Sequence, residues 1–183
     1  MHGRKSNQLI VIENSQITNY VLDDKVAWEV GRPSGDNRPD IRLHSATVSR
    51  RHGKFQNVDG VWFYVDYSGK NGTVYNNKKI TTGINGRVKP IILSDGDVFV
   101  FGGGEEAVIN PKTIWALYLT RDLGTEWRTV DTKDYKEVYI QTSDKTVHLD
   151  HLDKGTVIEE PDGIGIYMGD ITYLLGDIRV TGE

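Results

Sequence analysis

Short runs of β-branched and aromatic residues recur along the whole chain, and no stretch holds a helical apolar period for more than two turns. Leu9–Glu13, Asn19–Leu22, Val26–Val30, Lys54–Asn57, Trp62–Tyr67, Asp97–Phe101 and Thr113–Thr120 read as strands. Turn signals separate them: Asp23-Asp24, Pro33-Ser34-Gly35-Asp36-Asn37, Asp59-Gly60, Ser68-Gly69-Lys70-Asn71-Gly72, Asn85-Gly86 and Ser94-Asp95-Gly96. Asp59-Gly60 sits between two apolar runs and predicts a tight hairpin. Many short strands at this spacing restrict the chain to an all-β fold, with two sheets packed as a sandwich. Trp28, Trp62, Phe63, Phe99 and Trp115 are expected in the core or at its margin.

The pattern changes after Thr120. Residues 1–120 carry 15 Lys and Arg against 12 Asp and Glu, whereas residues 121–183 carry 7 against 14. A basic part and an acidic part of one chain point to two units with different roles. Arg121–Lys136 reads as polar and turn-like, with Trp127 as an isolated anchor. Glu137–Thr142, Thr146–Leu149, Thr156–Glu159, Ile164–Met168 and Ile171–Leu175 are strand-like again. The expected organisation is a flexible N-terminus over 1–8, a first domain over 9–120 and a smaller acidic β-rich extension over 121–183. The extension is too short for a large core of its own. It packs on the first domain, continues outside the chain, or is a degenerate or truncated second β unit. Gly96-Asp97-Val98 and Gly169-Asp170-Ile171 are a faint echo in favour of the last.

Several chemistries are excluded. The chain has no cysteine, so disulfides and thiolate metal sites are ruled out and a reducing, cytoplasmic setting is expected. Met1–Gln8 lacks the apolar stretch of a signal peptide, and no apolar run has the length that crosses a bilayer. No direct membrane insertion is expected within the chain, and the mild basicity of residues 1–120 does not point to nucleic acid. His148-Leu149-Asp150-His151-Leu152-Asp153 lacks the three or four convergent ligands of a metal site and reads as a solvated acidic loop. Gly102-Gly103-Gly104 has neither the Lys-Ser/Thr ending nor the helix of a phosphate loop. No nucleophile–base or paired-carboxylate signature appears. No enzyme, cofactor or metal is expected.

One constellation carries chemistry. Gly31-Arg32 ends a strand, Ser49-Arg50-Arg51-His52 opens another, and Lys70-Asn71-Gly72-Thr73-Val74-Tyr75-Asn76 follows a third. Arginine offers a planar, permanently charged fork that matches phosphate oxygens. Serine adds a neutral donor, and an asparagine amide holds a peptide backbone through both its C=O and its NH2.

In this order and spacing, Gly31-Arg32, Ser49-x-x-His52, Asn71-Gly72-Thr73-x-x-Asn76 and Leu93-Ser94-Asp95-Gly96-Asp97 resemble the signature of the forkhead-associated (FHA) domain family, over residues 9–119. The resemblance implies an FHA-type β-sandwich of about eleven strands, with binding loops at one end. It implies that Arg32 and Ser49 contact the phosphate of a phosphothreonine, that Arg50 assists, and that Asn71 holds the peptide main chain. Gly31, His52, Gly72 and Asn76 would support the site, His52 by bracing the binding loops from behind. It also implies that threonine is preferred to serine, through a pocket for its methyl group. Two positions depart from the pattern. Lys70 stands where a small hydroxylated residue is common and would supply charge instead. Asn77 stands where glycine is usual, and asparagine tolerates a left-handed backbone. The expected role is a phosphothreonine-peptide-binding adaptor that recruits partners phosphorylated by a Ser/Thr kinase. The alternative is an FHA-like scaffold without phosphate dependence that binds a constitutive protein partner, for instance as the cytosolic part of a larger membrane or secretion complex.

Overall fold

Alternation of outward and inward residues is cleanest around Asp59-Gly60, and there the chain folds as a hairpin. Strands β5 (Gly53–Val58) and β6 (Val61–Asp66) pair antiparallel with Val58 opposite Val61. Asp59 and Gly60 both have positive φ, 53° and 85°, as a two-residue turn matching strand twist requires. Phe55, Trp62 and Tyr64 face inward and are buried, while Val58 and Val61 are exposed. The structure is a computed structural model that describes residues 6–81, 86, 88–102, 114–121, 123–134, 137–141, 146–148 and 152–182. Asn85, Gly103, Gly104, Thr113, Lys136, Thr142 and Leu149–His151, which figure in the sequence reading, lie outside these residues.

The chain divides into two compact units, Met1–Arg121 and Asp122–Glu183. In the first, β1 (Gln8–Glu13) and β2 (Gln16–Val21) form a hairpin, followed by a 3-10 turn at Leu22–Asp24. Then come β3 (Ala27–Gly31), β4 (Ile41–Arg42), β5 and β6, followed by β7 (Thr73–Tyr75), β8 (Lys78–Lys79), β9 (Ile91–Ile92), β10 (Val98–Phe101) and β11 (Ile114–Leu119). These eleven strands make two sheets. One has six strands in the order β2-β1-β11-β10-β7-β8, and the other five in the order β4-β3-β5-β6-β9. One core draws on both: Leu9, Val11, Phe99, Phe101, Ile114 and Ala116 from the first, and Trp28, Val30, Ile41, Phe55, Trp62 and Tyr64 from the second. Burial of each large apolar side chain contributes about 1.5–3 kcal/mol, and Phe99 adds ring contacts to Phe55, Tyr64 and Tyr75. The fold is therefore the all-β sandwich expected. Phe63 is only half-buried, because it alternates onto the outer face of β6.

Strand edges differ from the reading. β1 begins at Gln8, a buried residue assigned above to the flexible end, and the short strands β4, β7, β8 and β9 were not anticipated. Asn14 and Ser15, with φ of 51° and 62°, turn the first hairpin without having been read as a turn.

The second unit is also all-β. β12 (Arg128–Asp131), β15 (Thr156–Glu160), β16 (Gly163–Tyr167) and β17 (Ile171–Gly176) form a sheet in the order β12-β17-β16-β15. β13 (Val138–Gln141), β14 (Thr146–His148) and β18 (Arg179–Gly182) form another in the order β14-β13-β18. Ile140, Ile158, Leu174 and Ile178 make a small core. Arg121–Lys136 is thus not simply turn-like, since it contains β12 and a 3-10 turn at Thr132–Asp134. The burial pattern of β12 is almost wholly exposed, which is why its sequence lacks an apolar signal. Among the described residues no helix is long and apolar enough to cross a membrane.

Candidate functional site

The loops that leave β3, lead into β5 and follow β6 meet, and backbone hydrogen bonds fix how. The amide of Arg32 donates to Ser49 O at 3.0 Å, and that of His52 to Val30 O at 2.9 Å. Such close approach requires glycine at position 31. A Cβ there would lie 2.0 Å from the Arg50 carbonyl oxygen. Position 69 is similar: a Cβ on Gly69 would lie 2.3 Å from Ser49 Oγ, so the serine hydroxyl rests directly on the backbone of the loop after β6.

Arg32 is half-buried, and its Nε donates to Val48 O at 3.0 Å. That bond fixes the plane of the guanidinium and leaves both terminal nitrogens available. Ser49 is half-buried, and among the described residues its hydroxyl has no partner. Arg50 and Lys70 are exposed, and among the described residues neither has a carboxylate partner. Arg51 differs, since its guanidinium lies 5.0 Å from the ring centre of Tyr67, whose hydroxyl in turn donates to Glu29. Of two consecutive arginines, one is held against an aromatic ring and one is left to solvent. Asn71 is half committed within the fold: its NH2 donates to Thr47 O at 2.8 Å, while among the described residues nothing engages its side-chain carbonyl.

His52 lies between these loops and is fully buried. The Ser49 amide points at its Nδ1 at 3.2 Å. An N–H can only donate, so Nδ1 is the acceptor and Nε2 carries the proton. Nε2 then donates to Thr73 Oγ1 at 2.8 Å and Gly72 O at 3.1 Å. The relay continues as Thr73 Oγ1 donates to Asp66 Oδ1 at 2.6 Å. Asp66 also accepts from Tyr64 Oη at 2.7 Å and the Ser68 amide at 3.1 Å. A buried carboxylate is thereby supplied with three donors. Burial pushes the His52 imidazole below its usual range, against the opposing pull of Asp66, so it is neutral near pH 7. Gly72, at φ 72°, lies at the end of the loop His52 holds.

Asn76 has a different duty from the one expected of it. The segment Asn71–Asn76 is not one loop, because β7 runs through it. Asn76 and Asn77, at φ 46° and 68°, form the tight turn between β7 and β8, so asparagine at 77 meets the left-handed requirement. The Asn76 side chain accepts from the Val98 amide at 2.8 Å and donates to Asp97 at 3.0 Å. It braces the turn at Ser94–Asp97, not the loop carrying Asn71.

Two supports carry no local sequence signal. Asn37, read above only as part of a turn, donates both amide hydrogens across the site, to Arg32 O at 3.0 Å and Arg50 O at 2.7 Å. Glu13, at the end of β1, accepts from the amides of His44 and Ser45 at 2.7 and 3.1 Å, fixing the segment that carries Thr47. Asn37→Ala is expected to lower stability by about 1–2 kcal/mol. Asn37→Asp is expected to be worse, since it sets a carboxylate against two carbonyl oxygens. Urea unfolding of both variants measures this, and an aspartate variant as stable as the alanine one would refute the bridging role.

The His148–Asp153 run forms no ligand cluster in its described part, where His148 stacks on Tyr139 at 4.7 Å. Among the described residues no group of three acidic or histidine side chains is arranged to hold a metal. The second unit has a cavity of about 340 Å3 whose charged lining is Glu160, Asp162 and Asp177 against one cation, Arg179, a balance that disfavours an anion.

Residues 28–102 match the FHA domain family. No curated protein matches the chain. Among solved structures, the yeast Pml1 splicing factor is 24% identical, with 65% of this chain and 83% of that one covered and a TM-score of 0.49. The FHA domain of the CT664 protein from Chlamydia trachomatis is 23% identical over 63% of this chain and 98% of that one, with a TM-score of 0.47. The FHA domain of an Arabidopsis thaliana hypothetical protein is 20% identical over 69% and 95%, with a TM-score of 0.48.

Proposed function

We propose that the first unit binds a phosphothreonine-containing segment of a partner protein. The observation that carries this reading is the state of the cations. Arg32, Arg50 and Lys70 stand on three loops, of which those leading into β5 and following β6 touch at Ser49 and Gly69; none of the three has a carboxylate partner, and the Ser49 hydroxyl has no hydrogen-bond partner, among the described residues. Such an arrangement suits a doubly charged oxyanion.

The terminal nitrogens of Arg32 and the Ser49 hydroxyl bind phosphate oxygens, and Arg50 and Lys70 add charge from solvent. The open carbonyl of Asn71 accepts a main-chain N–H of the peptide. His52, Asn37 and Glu13 touch no ligand; they position the loops that do. Phosphate and main chain are read by loops on a rigid sandwich, which is how a recruiting module works without catalysing a reaction. The preference for threonine over serine rests on the family resemblance, and the kinase-marked partner and cytoplasmic setting belong to the same reading.

The test is binding of the purified chain to a phosphothreonine peptide library, with matched unphosphorylated and phosphoserine sets. Selective capture of phosphothreonine peptides is expected. Equal binding of all three sets up to high micromolar concentration would overturn the reading in favour of a constitutive scaffold.

A further inference from the structure

Immediately beyond Arg32, the loop from Pro33 to Arg42 folds back on itself. It leaves an open cavity of about 300 Å3 lined by Pro33, Ser34, Gly35, Asn37, Arg38 and Arg42. The cavity has a fixed wall. Ser34 and Asn37 exchange two backbone hydrogen bonds, at 3.1 and 2.8 Å, and the Asn37 side chain is tied to the carbonyls of Arg32 and Arg50.

What opens into the cavity is cationic. Arg38 and Arg42 are exposed, and neither has a carboxylate partner among the described residues. Arg42 Nε donates to Pro39 O at 3.3 Å, which leaves its terminal nitrogens available. Among the described residues the Ser34 hydroxyl has no partner. The acids of the loop do not neutralise this charge. Asp40 is engaged by Lys25 at 2.6 Å and the Glu29 amide at 2.8 Å, and Asp36 does not line the cavity. Two guanidinium forks and a hydroxyl around an open cavity fit an oxyanion. The volume is at the lower end for small-ligand sites and admits a side chain with its waters.

We infer that this cavity is a second anion subsite, which takes an acidic side chain, carboxylate or phosphate, from the same peptide whose phosphothreonine lies at Arg32 and Ser49. The inference rests on the phosphopeptide reading above. Shared construction makes the two sites parts of one surface: Pro33 is the neighbour of Arg32, and Asn37 belongs to the cavity while holding both Arg32 and Arg50. An extended peptide advances about 3.3–3.6 Å per residue, so one held at Arg32 reaches past the adjoining Pro33 within a few residues.

The test walks one Glu, and separately one phosphoserine, through the positions flanking a fixed phosphothreonine in an otherwise alanine-rich peptide. Affinity is measured for the native chain and for R38A/R42A. One register is expected to gain roughly five- to thirtyfold over the all-alanine peptide, more for phosphoserine than for Glu, and the gain is expected to shrink with salt. In R38A/R42A the ratio of the two affinities is expected to fall towards one. A ratio within one variant does not depend on how much of that variant is folded. No favoured register, or a gain that survives R38A/R42A, would overturn the inference while leaving the phosphothreonine site intact. Loss of all phosphate dependence in the native chain would instead remove the reading on which it rests. Inorganic phosphate followed by NMR reads the cavity without any peptide. Shifts at Gly35, Arg38 and Arg42 in the native chain, with that at Gly35 lost in R38A/R42A, support the subsite, and shifts confined to Arg32 and Ser49, or none, refute it.

Discussion

Arg32→Ala is expected to weaken binding of a phosphothreonine peptide roughly tenfold to hundredfold, the equivalent of about 1.5–3 kcal/mol for a lost charge-assisted contact. Binding of the unphosphorylated peptide should hardly change, so the ratio of the two affinities collapses. The size of the effect follows from preorganisation. Arg32 is half-buried, its Nε is already held by Val48 O at 3.0 Å, and its amide by Ser49 O at 3.0 Å. The fork therefore loses little rotamer freedom when it engages a phosphate. Arg32→Lys should recover only a small part of the loss, because an ammonium cannot hold Val48 O and present two further parallel donors at once. Stability should fall little in either variant, since Arg32 supplies one side-chain hydrogen bond to the fold. Titration calorimetry with phosphorylated and unphosphorylated peptides, beside thermal unfolding of each variant, separates the two quantities. An unchanged affinity ratio in Arg32→Ala would remove Arg32 from the phosphate site.

Much of this arrangement is legible in the sequence, and what escapes has a physical reason. Long strands with a buried face announce themselves. β6 reads Val-Trp-Phe-Tyr-Val-Asp with alternate residues buried, and Asp59-Gly60 marks its hairpin. The strands β4, β8 and β9 are two residues each, too short for any period, and are fixed by partners already in place. β12 lies at the edge of its sheet with a mostly exposed pattern, so its composition is that of a loop. The site divides in the same way. Arg32, Ser49, His52 and Asn71 fall in a recognisable order. Asn37 and Glu13 act on backbone atoms 5 to 32 residues away, and a turn asparagine or a strand-end glutamate has no local signature for that. Asn76 shows the opposite failure, since its place in the motif predicts the binding loop while its bonds go to Val98 and Asp97.

His52→Ala is expected to cost stability and affinity together, and so to behave unlike Arg32→Ala. The imidazole is fully buried, meets Phe101 edge-on at 5.4 Å, and joins the Ser49 amide on one loop to Gly72 and Thr73 on another. Truncation leaves a ring-sized void and strands the Ser49 N–H without its acceptor. Together these should lower stability by about 3 kcal/mol or more. Well below its unfolding temperature, the variant should still bind phosphopeptide more weakly, because the Ser49 loop and the Gly69–Gly72 loop lose their common tether. The native protein adds a pH signature with a definite sign. Burial holds the His52 pKa below 6.5 in the folded state, so the unfolded chain takes up a proton first as pH falls. The contribution of His52 is therefore fully present above about pH 6.5 and is lost as pH drops from there towards the folded value. Unfolding measured without peptide avoids the phosphate group, which itself titrates near pH 6. The difference in stability between the native chain and His52→Ala should narrow as pH falls through this window. A difference that stays constant from pH 7.5 to 5 would show that His52 is not held neutral, and Nδ1 could then not be the acceptor of the Ser49 N–H.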